Sequence, residues 1–362
     1  MPTSARYDSI ATRLSLALPD LRPRLHDPLT GALVGMSQAV SAQQRAVADA
    51  MPLKTKQQSK IQRFRRLLKN PKLTAEGIYQ PIVRAALTGL RRQRVHVLLD
   101  RVVLTETQNV LVVSLGFRRR SIPLVWRILT HAGSSNLTDQ QTVLAAAIAL
   151  LPPEVRIIVH ADSEFRSQTL FAWIREHRWD AILGIRGTVT VTTDPTQTGE
   201  ALTRWLSHRD SVAYLSEVWL TEDRHGPVNV LAWWDKDKDN RGVLTCHAVM
   251  TNMPATWQTY RIGSRRMWIE TMFRDWQSGG FDLGKTGITD RGRFHRLIIL
   301  VCLVYLWFVS VGRWVVKRGY RALLDAGPSD AWEHSLFTLA VAWQNHCRTF
   351  DQPMPIFWFV YL

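Results

Sequence analysis

VHVLLD, residues 95–100, is a run of β-branched and apolar residues that ends in an aspartate. A second run of this kind, EVRIIVHAD, occupies residues 154–162 and also ends in an aspartate. Short apolar runs between polar breaks predict buried β-strands. The matching positions of Asp100 and Asp162 therefore predict two carboxylates at the ends of two buried strands.

The segments around these two runs alternate between strand and helix patterns. In chain order they are NVLVVSLGF (109–117), IPLVWRIL (122–129), the helical TDQQTVLAAAIALL (138–151), the helical FRSQTLFAWIREH (165–177) and WDAILGIR (179–186). The first three strands are expected to form an antiparallel meander. The order of three strands, helix, strand, helix and strand predicts an α/β fold with a ribonuclease H-like catalytic core.

Four regions are expected along the chain. They are a helical, basic DNA-binding region at 1–94, the first part of the core at 95–186, a β-rich insertion at 187–256, and the second part of the core with C-terminal helices at 257–362. The insertion is predicted from the runs VAYLSEVWL, PVNVLAWW and GVLTCHAVMTN, which polar turns separate. The last region predicts helices over 257–278, 293–316 and 329–348.

The charge balance indicates the kind of partner. Lysine and arginine outnumber aspartate and glutamate by 46 to 30, a net charge of +16, which favours nucleic acid or an anionic membrane surface. The three cysteines are far apart and form no CxxC pair, which argues against a disulfide framework and a zinc site. With no apolar stretch of signal-peptide type at the N-terminus, we expect a cytoplasmic, nucleoid-associated protein of bacterial type.

One uncharged stretch, LIILVCLVYLWFVSVG at 297–312, raises the question of a membrane span. A spanning helix needs about 20 apolar residues, and this run is closed by Arg296 and Arg313 after fewer. We therefore predict a helix buried in a soluble core and no membrane partner.

A basic amphipathic helix is predicted over KTKQQSKIQRFRRLLK, residues 54–69. Its apolar residues fall on one face, while Arg63, Arg65 and Arg66 crowd the remainder. A solvated surface helix would show the same pattern, but in so basic a chain the interpretation we favour is contact with DNA phosphates.

The two aspartates need a cation if they lie close together. In a ribonuclease H-like sheet the first and fourth strands are neighbours, so Asp100 and Asp162 would repel each other unless a metal ion lay between them. Magnesium and manganese prefer such oxygen ligands. A third carboxylate is expected from YRIGSRRMWIETMFRDWQSGGFDL, residues 260–283, where Arg266 and Glu270 share a helical face. An ordinary Arg–Glu helix pair is the alternative.

These motifs together resemble a known family. Arg266 and Glu270 on a helix followed by SGGFDL, with LLDRV around Asp100 and HADSEF around Asp162, are similar to the insertion-sequence DDE transposases (insertion sequence family four). That family carries a Tyr-x2-Arg-x3-Glu-x6-Lys signature and a β insertion before the glutamate. The resemblance covers residues 95–310 and implies that Asp100, Asp162 and Glu270 are both catalytic residues and metal ligands.

Two positions depart from the family signature. The tyrosine position is Gly263, with Tyr260 one turn earlier, and the lysine position is Gln277. The family's tyrosine, arginine and lysine contact DNA phosphates near the cleaved end. We therefore carry Arg266 and Gln277 over as DNA-contacting positions, with Tyr260 substituting for the tyrosine and Arg274 or Lys285 for the missing charge.

The chemistry expected is phosphoryl transfer with two Mg²⁺ or Mn²⁺ ions bridged by Asp100. The resemblance implies cut-and-paste transposition: cleavage of terminal inverted repeats through a DNA hairpin, then joining to target DNA, with a homodimer formed at synapsis. Hairpin formation needs an aromatic residue to receive an extruded base. Among the tryptophans of the insertion, alternation along the strand favours Trp234 over Trp233, with Trp219 third.

Three other functions fit parts of the sequence. A domesticated, non-catalytic DNA-binding protein would share the charge and the helices but need not keep three carboxylates. A nuclease of the same fold that only hydrolyses DNA would share the carboxylates, although the β insertion and the Arg-x3-Glu helix favour transposition. A membrane-associated protein depends on residues 297–312 alone.

Overall fold

The structure, a computed structural model, describes residues 3–90, 93–208, 210–220, 224–235, 245–325 and 334–356. Its N-terminal region is helical, as the sequence predicted. The helices are α1 (Thr3–Ala17), α2 (Pro23–Ala39), α3 (Gln44–Ala50), α4 (Gln57–Lys69) and α5 (Gln80–Leu87). The basic helix α4 buries Phe64, Leu67 and Leu68 and packs against α2 and α3.

All the described strands belong to one mixed sheet. They are β1 (Arg94–Thr105), β2 (Gln108–Phe117), β3 (Arg120–Ile128), β4 (Arg156–Ala161), β5 (Asp180–Arg186), β6 (Thr190–Thr192), β7 (Glu200–Ala201), β8 (Val212–Leu220), β9 (His225–Trp234) and β10 (Cys246–Thr251). Their order across the sheet is β3-β2-β1-β4-β5-β10-β9-β8-β6-β7. The predicted antiparallel meander β1-β2-β3 is confirmed, and β4 lies parallel to β1.

The β-rich insertion continues the core sheet. Strand β10, at the end of the insertion, pairs antiparallel with β5, which precedes it, and β9 and β8 follow outward. Residues 236–244, at the turn between β9 and β10, lie outside the described part. The insertion thus extends the sheet away from β1 and β4.

Six further helices follow β3 in the part of the chain that the structure describes. They are α6 (Leu137–Ile148), α7 (Gln168–Glu176), α8 (Trp257–Gly263), α9 (Trp268–Trp276), α10 (Arg291–Lys317) and α11 (Leu336–Thr349). The helix expected over 257–278 is interrupted by a 3-10 turn at Ser264–Met267. The helix expected over 329–348 is α11, and its predicted first residues, 329–333, lie outside the described part.

The apolar stretch 297–312 forms the middle of α10. Among the described residues, α10 is the one helix long and apolar enough to cross a membrane, and 89% of its most apolar window is buried inside the protein. It packs on α11, on the N-terminal helices α2 and α4, and on β3. The prediction of a core helix is therefore confirmed, and α10 joins the N-terminal helices to the sheet.

Candidate active site

Asp100 and Asp162 lie side by side on neighbouring strands. In the parallel register of β1 and β4, Leu99 pairs with Ala161, so the next residues are the two aspartates. Asp162 directly follows β4 and caps the next 3-10 turn by accepting from the Ser163 amide. Asp100, which the sequence placed at a strand end, lies within β1, because that strand continues to Thr105.

Glu270 reaches the same place from the first turn of α9. Its Oε1 is 3.1 Å from Nη1 of Arg266, and the same nitrogen is 3.8 Å from Oδ2 of Asp162. The expected Arg266–Glu270 contact is thus present, although Arg266 itself lies in the 3-10 turn before α9. The guanidinium connects the helix carboxylate to a sheet carboxylate, and all three predicted acids meet around it.

Asp100 is the electrostatically strained member of this cluster. Burial, helped by the negative charges of Asp162 and Glu270, raises its pKa from 3.8 to about 6, although the Arg101 amide and Arg266 both act in the opposite direction. The Arg101 amide donates to Oδ1 of Asp100 at 2.7 Å. A half-buried carboxylate beside two others is a site that a further positive charge would stabilise.

The donor chemistry of the cluster fits a divalent cation. Three carboxylates supply the oxygen ligands that magnesium and manganese prefer, and the pKa of Asp100 is raised chiefly by burial, with smaller contributions from Asp162 and Glu270. Across the described residues, no three acidic, histidine or cysteine side chains converge closely enough to hold a metal as they stand. The positive charge in the cluster comes from Arg266, so a metal ion would need Arg266 to turn outward.

Three residues that the sequence analysis did not single out form a hydrogen-bonded chain next to Arg266, with both histidines buried. Nη1 of Arg265 contacts Nε2 of His96, and Nδ1 of His96 is 2.9 Å from Nε2 of His160. Because arginine can only donate, His96 accepts at Nε2 and donates its Nδ1 hydrogen to His160. Burial lowers the pKa of both histidines, to about 3 for His96, so neutral rings are consistent with this chain.

A second contact that the sequence analysis did not predict joins β1 to the turn after β4, next to the two aspartates. Arg101 and Glu164 form a bidentate ion pair, with Nη2 2.7 Å from Oε2 and both side chains under one-fifth exposed. Asn109 accepts from Arg101, and the Ser135 amide donates to Glu164. Each partner lies within two residues of a cluster aspartate, so this pair fixes the β4–α7 turn against β1. Spacing in the sequence could not pair residues 63 positions apart.

The predicted phosphate-contacting residues are more scattered. Nζ of Lys285 is 3.1 Å from Asp282 in the loop after α9. Arg274 is exposed on α9, and Gln277 ends that helix through its backbone amide. Of the predicted phosphate-contacting residues, Arg266 therefore lies at the carboxylates. Within the described part of the chain, Lys285, Arg274 and Gln277 make no contact with those carboxylates.

The insertion's tryptophans fall in different surroundings. Trp233 meets Tyr260 of α8 edge-on at 5.0 Å, and Tyr260 stacks on the exposed Trp257 at 5.2 Å. Trp234 instead packs against the main hydrophobic core, and the backbone at Gly226 closely approaches the ring of Trp219. Since α8 leads directly into the turn that carries Arg266, Trp233 contacts the segment that precedes the cluster, whereas Trp234 packs on the core.

A carboxylate cluster at the junction of two parallel strands and a helix, in a strongly basic chain, is the architecture of an enzyme that acts on nucleic acid. Comparison with protein families matches residues 110–307, more than half of the chain, to the transposase DDE domain. The chain belongs to the DDE-domain transposase family, and its partner is DNA. The match covers Asp162, Arg266 and Glu270 and begins after Asp100. No curated protein matches the chain.

Proposed function

We propose that this chain is a cut-and-paste transposase that cleaves the ends of its own element and joins them to target DNA. The observation that carries the proposal is that Asp162 and Glu270 both contact Arg266, while Asp100 lies on the strand beside Asp162 and interacts electrostatically with all three, within a sheet of core order β3-β2-β1-β4-β5. That order, with helices packed against the sheet, also supports a ribonuclease H-like core. The insertion before Glu270 supports the insertion-sequence type with the Tyr-Arg-Glu-Lys signature.

Asp100, Asp162 and Glu270 would hold the Mg²⁺ or Mn²⁺ ions. When bound, such ions activate an attacking hydroxyl and stabilise the leaving oxygen of a phosphodiester. The protein must keep the Asp100 carboxylate ionised for it to hold a metal ion. In the metal-free chain, the raised pKa of Asp100 leaves this carboxylate less than half ionised below about pH 6. Arg266, once released from Glu270, is placed to bind the phosphate that is cut.

The aromatic residues beside the cluster support hairpin formation at the element end. Trp233, Tyr260 and Trp257 form a connected group at the edge of the insertion, and Trp257 is 56% exposed. Stacking on an aromatic ring returns about 1–3 kcal/mol per base, which offsets the few kcal/mol needed to extrude one. Synapsis of two ends requires two active sites, so a homodimer on DNA belongs to the same proposal.

The decisive experiment uses DNA that flanks the reading frame as the labelled substrate. With Mg²⁺ or Mn²⁺, Asp100→Asn, Asp162→Asn and Glu270→Gln should each abolish cleavage and leave end binding in a gel-shift unchanged, because each removes one ligand charge without changing side-chain size. Cleavage retained by any one variant would remove that residue from the catalytic set. Binding without cleavage by the unmodified chain would favour a domesticated DNA-binding protein, and cleavage without joining a hydrolytic nuclease.

Metal binding can be checked without any activity. Added Mg²⁺ should raise the melting temperature of the unmodified chain relative to EDTA, since a ligand that binds only the folded state stabilises it. The rise should be lost in Asp100→Asn and kept in Asp282→Asn, a matched aspartate paired with Lys285 outside the cluster. An equal rise in both variants would place the metal elsewhere.

A further inference from the structure

Helix α4 forms an exposed ridge between two basic grooves. The first groove, about 500 Å³, separates α4 from α1 and α2 and carries Arg24, Arg63 and Arg66. The second, about 360 Å³, separates α4 from the start of α10 and carries Arg65, Arg66, Lys69 and Arg293. All six of these cationic residues are exposed. Each groove contains one acid, and in the second that acid, Asp290, caps α10.

The crest of the ridge is polar and points away from the protein. Phe64, Leu67 and Leu68 face inward, and at 100° per residue Gln62 and Arg66 fall on the opposite side, one turn apart. Both are exposed, and the Gln62 side chain has no hydrogen-bond partner among the described contacts. Arg66 makes one long contact, 3.4 Å, to the backbone of its own helix. Among the residues that the structure describes, no other segment contacts the side chains of Gln62 and Arg66 by a hydrogen bond or ion pair.

From this geometry we infer that α4 lies in the major groove of double-stranded DNA and reads base edges with Gln62 and Arg66. The inference rests on the proposed function only in taking DNA as the partner. An α-helix with its side chains is about 10–12 Å across and the major groove is about 12 Å wide. The phosphates of the two strands would then lie along the two basic grooves, one on each side of the ridge.

The residue types on the crest are those that recognise bases. Glutamine pairs bidentately with adenine and arginine with guanine in the major groove. Gln62 and Arg66 are four residues apart, about 6 Å along the axis, which spans roughly two base-pair steps at about 3.4 Å each. The helix therefore discriminates adenine and guanine at positions about two base pairs apart.

The second groove leads toward the acidic cluster. Its lining includes Ile288 and Thr289, whose carbonyls accept from the Gln108 side chain at 3.0 and 3.1 Å. Gln108 starts β2, opposite Thr105 at the end of β1. From there back to Asp100 is about 17 Å along the strand, or roughly five base pairs of duplex.

The test is selection of duplexes with a randomised central segment on the full-length chain, followed by affinity measurements for the selected and a shuffled duplex. Gln62→Ala should reduce the preference for the selected duplex about tenfold, the cost of one base contact, and leave the affinity for the shuffled duplex unchanged. Gln57→Ala is the matched control, because Gln57 lies off the crest and donates to Asp49; it should change neither affinity.

Replacing the cationic residues of the two grooves should change DNA affinity in a different way from replacing Gln62 on the crest. Arg24→Gln and Arg293→Gln should weaken both duplexes equally and each lower the slope of log affinity against log salt by about 0.9, the value for one phosphate contact. Replacing both Arg63 and Arg65 by Gln, with Arg66 on the crest left in place, should lower that slope by about twice as much. An unchanged slope in these variants would mean that the grooves do not hold phosphates.

Two results would overturn the reading role of α4. One is a selection that enriches no sequence, and the other is an equal effect of Gln62→Ala on the selected and shuffled duplexes. Failure of the proposed function looks different. If the chain shows a Gln62-dependent preference but cuts no DNA with Mg²⁺ or Mn²⁺, the transposase mechanism fails and the role of α4 stands.

Discussion

At the scale of single residues, Arg266 offsets part of the negative charge of the three clustered carboxylates. Asp100 is the most buried of the three acids, while Asp162 and Glu270 have side chains that are 48% and 43% exposed. The partly exposed pair can be screened by water, whereas Asp100 relies on Arg266 and the Arg101 amide. Asp100 therefore carries the pH dependence of the site.

The stability of the metal-free chain should reflect this carboxylate. Asp100 keeps its proton up to about pH 6 when folded but loses it near pH 3.8 when unfolded. The stability supplied by the protonated form is therefore present below pH 3.8 and lost as pH rises through 6. In EDTA, Asp100→Asn should increase the free energy of unfolding above pH 6 by up to about 3 kcal/mol and have no effect near pH 3.8. Urea denaturation at both pH values measures this; equal effects at both would contradict the pKa.

The buried chain from Arg265 to His96 should show energetic coupling. Removing one partner leaves a buried polar atom without a hydrogen bond, at about 1–3 kcal/mol, while removing both costs less than the sum. A double-mutant cycle of Arg265→Met and His96→Leu should therefore give a coupling above about 0.5 kcal/mol in urea unfolding. Arg261→Met, an exposed neighbour, should be additive with His96→Leu. Additivity in the first cycle as well would mean that the contact contributes nothing to stability.

At the scale of elements, the β-rich insertion places the aromatic ring of Trp233 against α8, the helix that precedes Arg266. Strands β10 and β9 follow β5, so the strand that carries Trp233 lies three strand spacings, roughly 14 Å, across the sheet from β4. Its contact with Tyr260 attaches the insertion to the helix that precedes Arg266. The insertion therefore has a direct connection to the residues around Glu270.

Trp233→Ala should leave first-strand nicking intact and reduce the hairpin product, because stacking on the extruded base is lost. A stacking energy of about 1–3 kcal/mol corresponds to roughly 5- to 150-fold less hairpin. Denaturing gels of a labelled element end measure both products. Trp234→Ala and Trp219→Ala serve as comparisons and should leave the ratio of hairpin to nick unchanged. Normal hairpin from all three variants would exclude a stacking role for these tryptophans.

At the scale of the whole molecule, α10 connects the N-terminal helices to the sheet that carries the acidic cluster. It packs against α2, α4 and β3 and crosses α11 closely at Gly312. A Cβ at that position would lie 1.8 Å from the Leu336 carbonyl oxygen, so the two backbones can approach only because the residue is glycine. The close crossing holds α11 against the central helix.

Gly312→Ala should lower the free energy of unfolding by about 1–3 kcal/mol or more, as overpacking does. Gly89→Ala is the control, since a Cβ there meets nothing within 4 Å, and it should be neutral within a few tenths of a kcal/mol. Urea denaturation of both variants decides the matter. A neutral Gly312→Ala would show that α10 and α11 can separate without cost.

The sequence alone was enough for the features that depend on local pattern. Alternation and run length predicted β1 to β5 and the meander, and an uncharged run closed by arginines predicted the buried α10. The two aspartates were also found in this way, because a carboxylate after an apolar run stands out against its neighbours, whereas Glu270 was picked out by the resemblance of its helix to a known family. Such signals lie within a few residues of each other, so they can be read without the fold.

Only the tertiary structure decided the contacts between distant segments. Arg265 with His96, and Arg101 with Glu164, are joined across 169 and 63 positions, and no local period encodes such a pairing. The side on which Trp233 lies, the continuation of the core sheet by the insertion, and the bridge from Arg266 to Asp162 depend on strand order and register. These are fixed by which buried surfaces fit together, and that fit is a property of the packed chain as a whole.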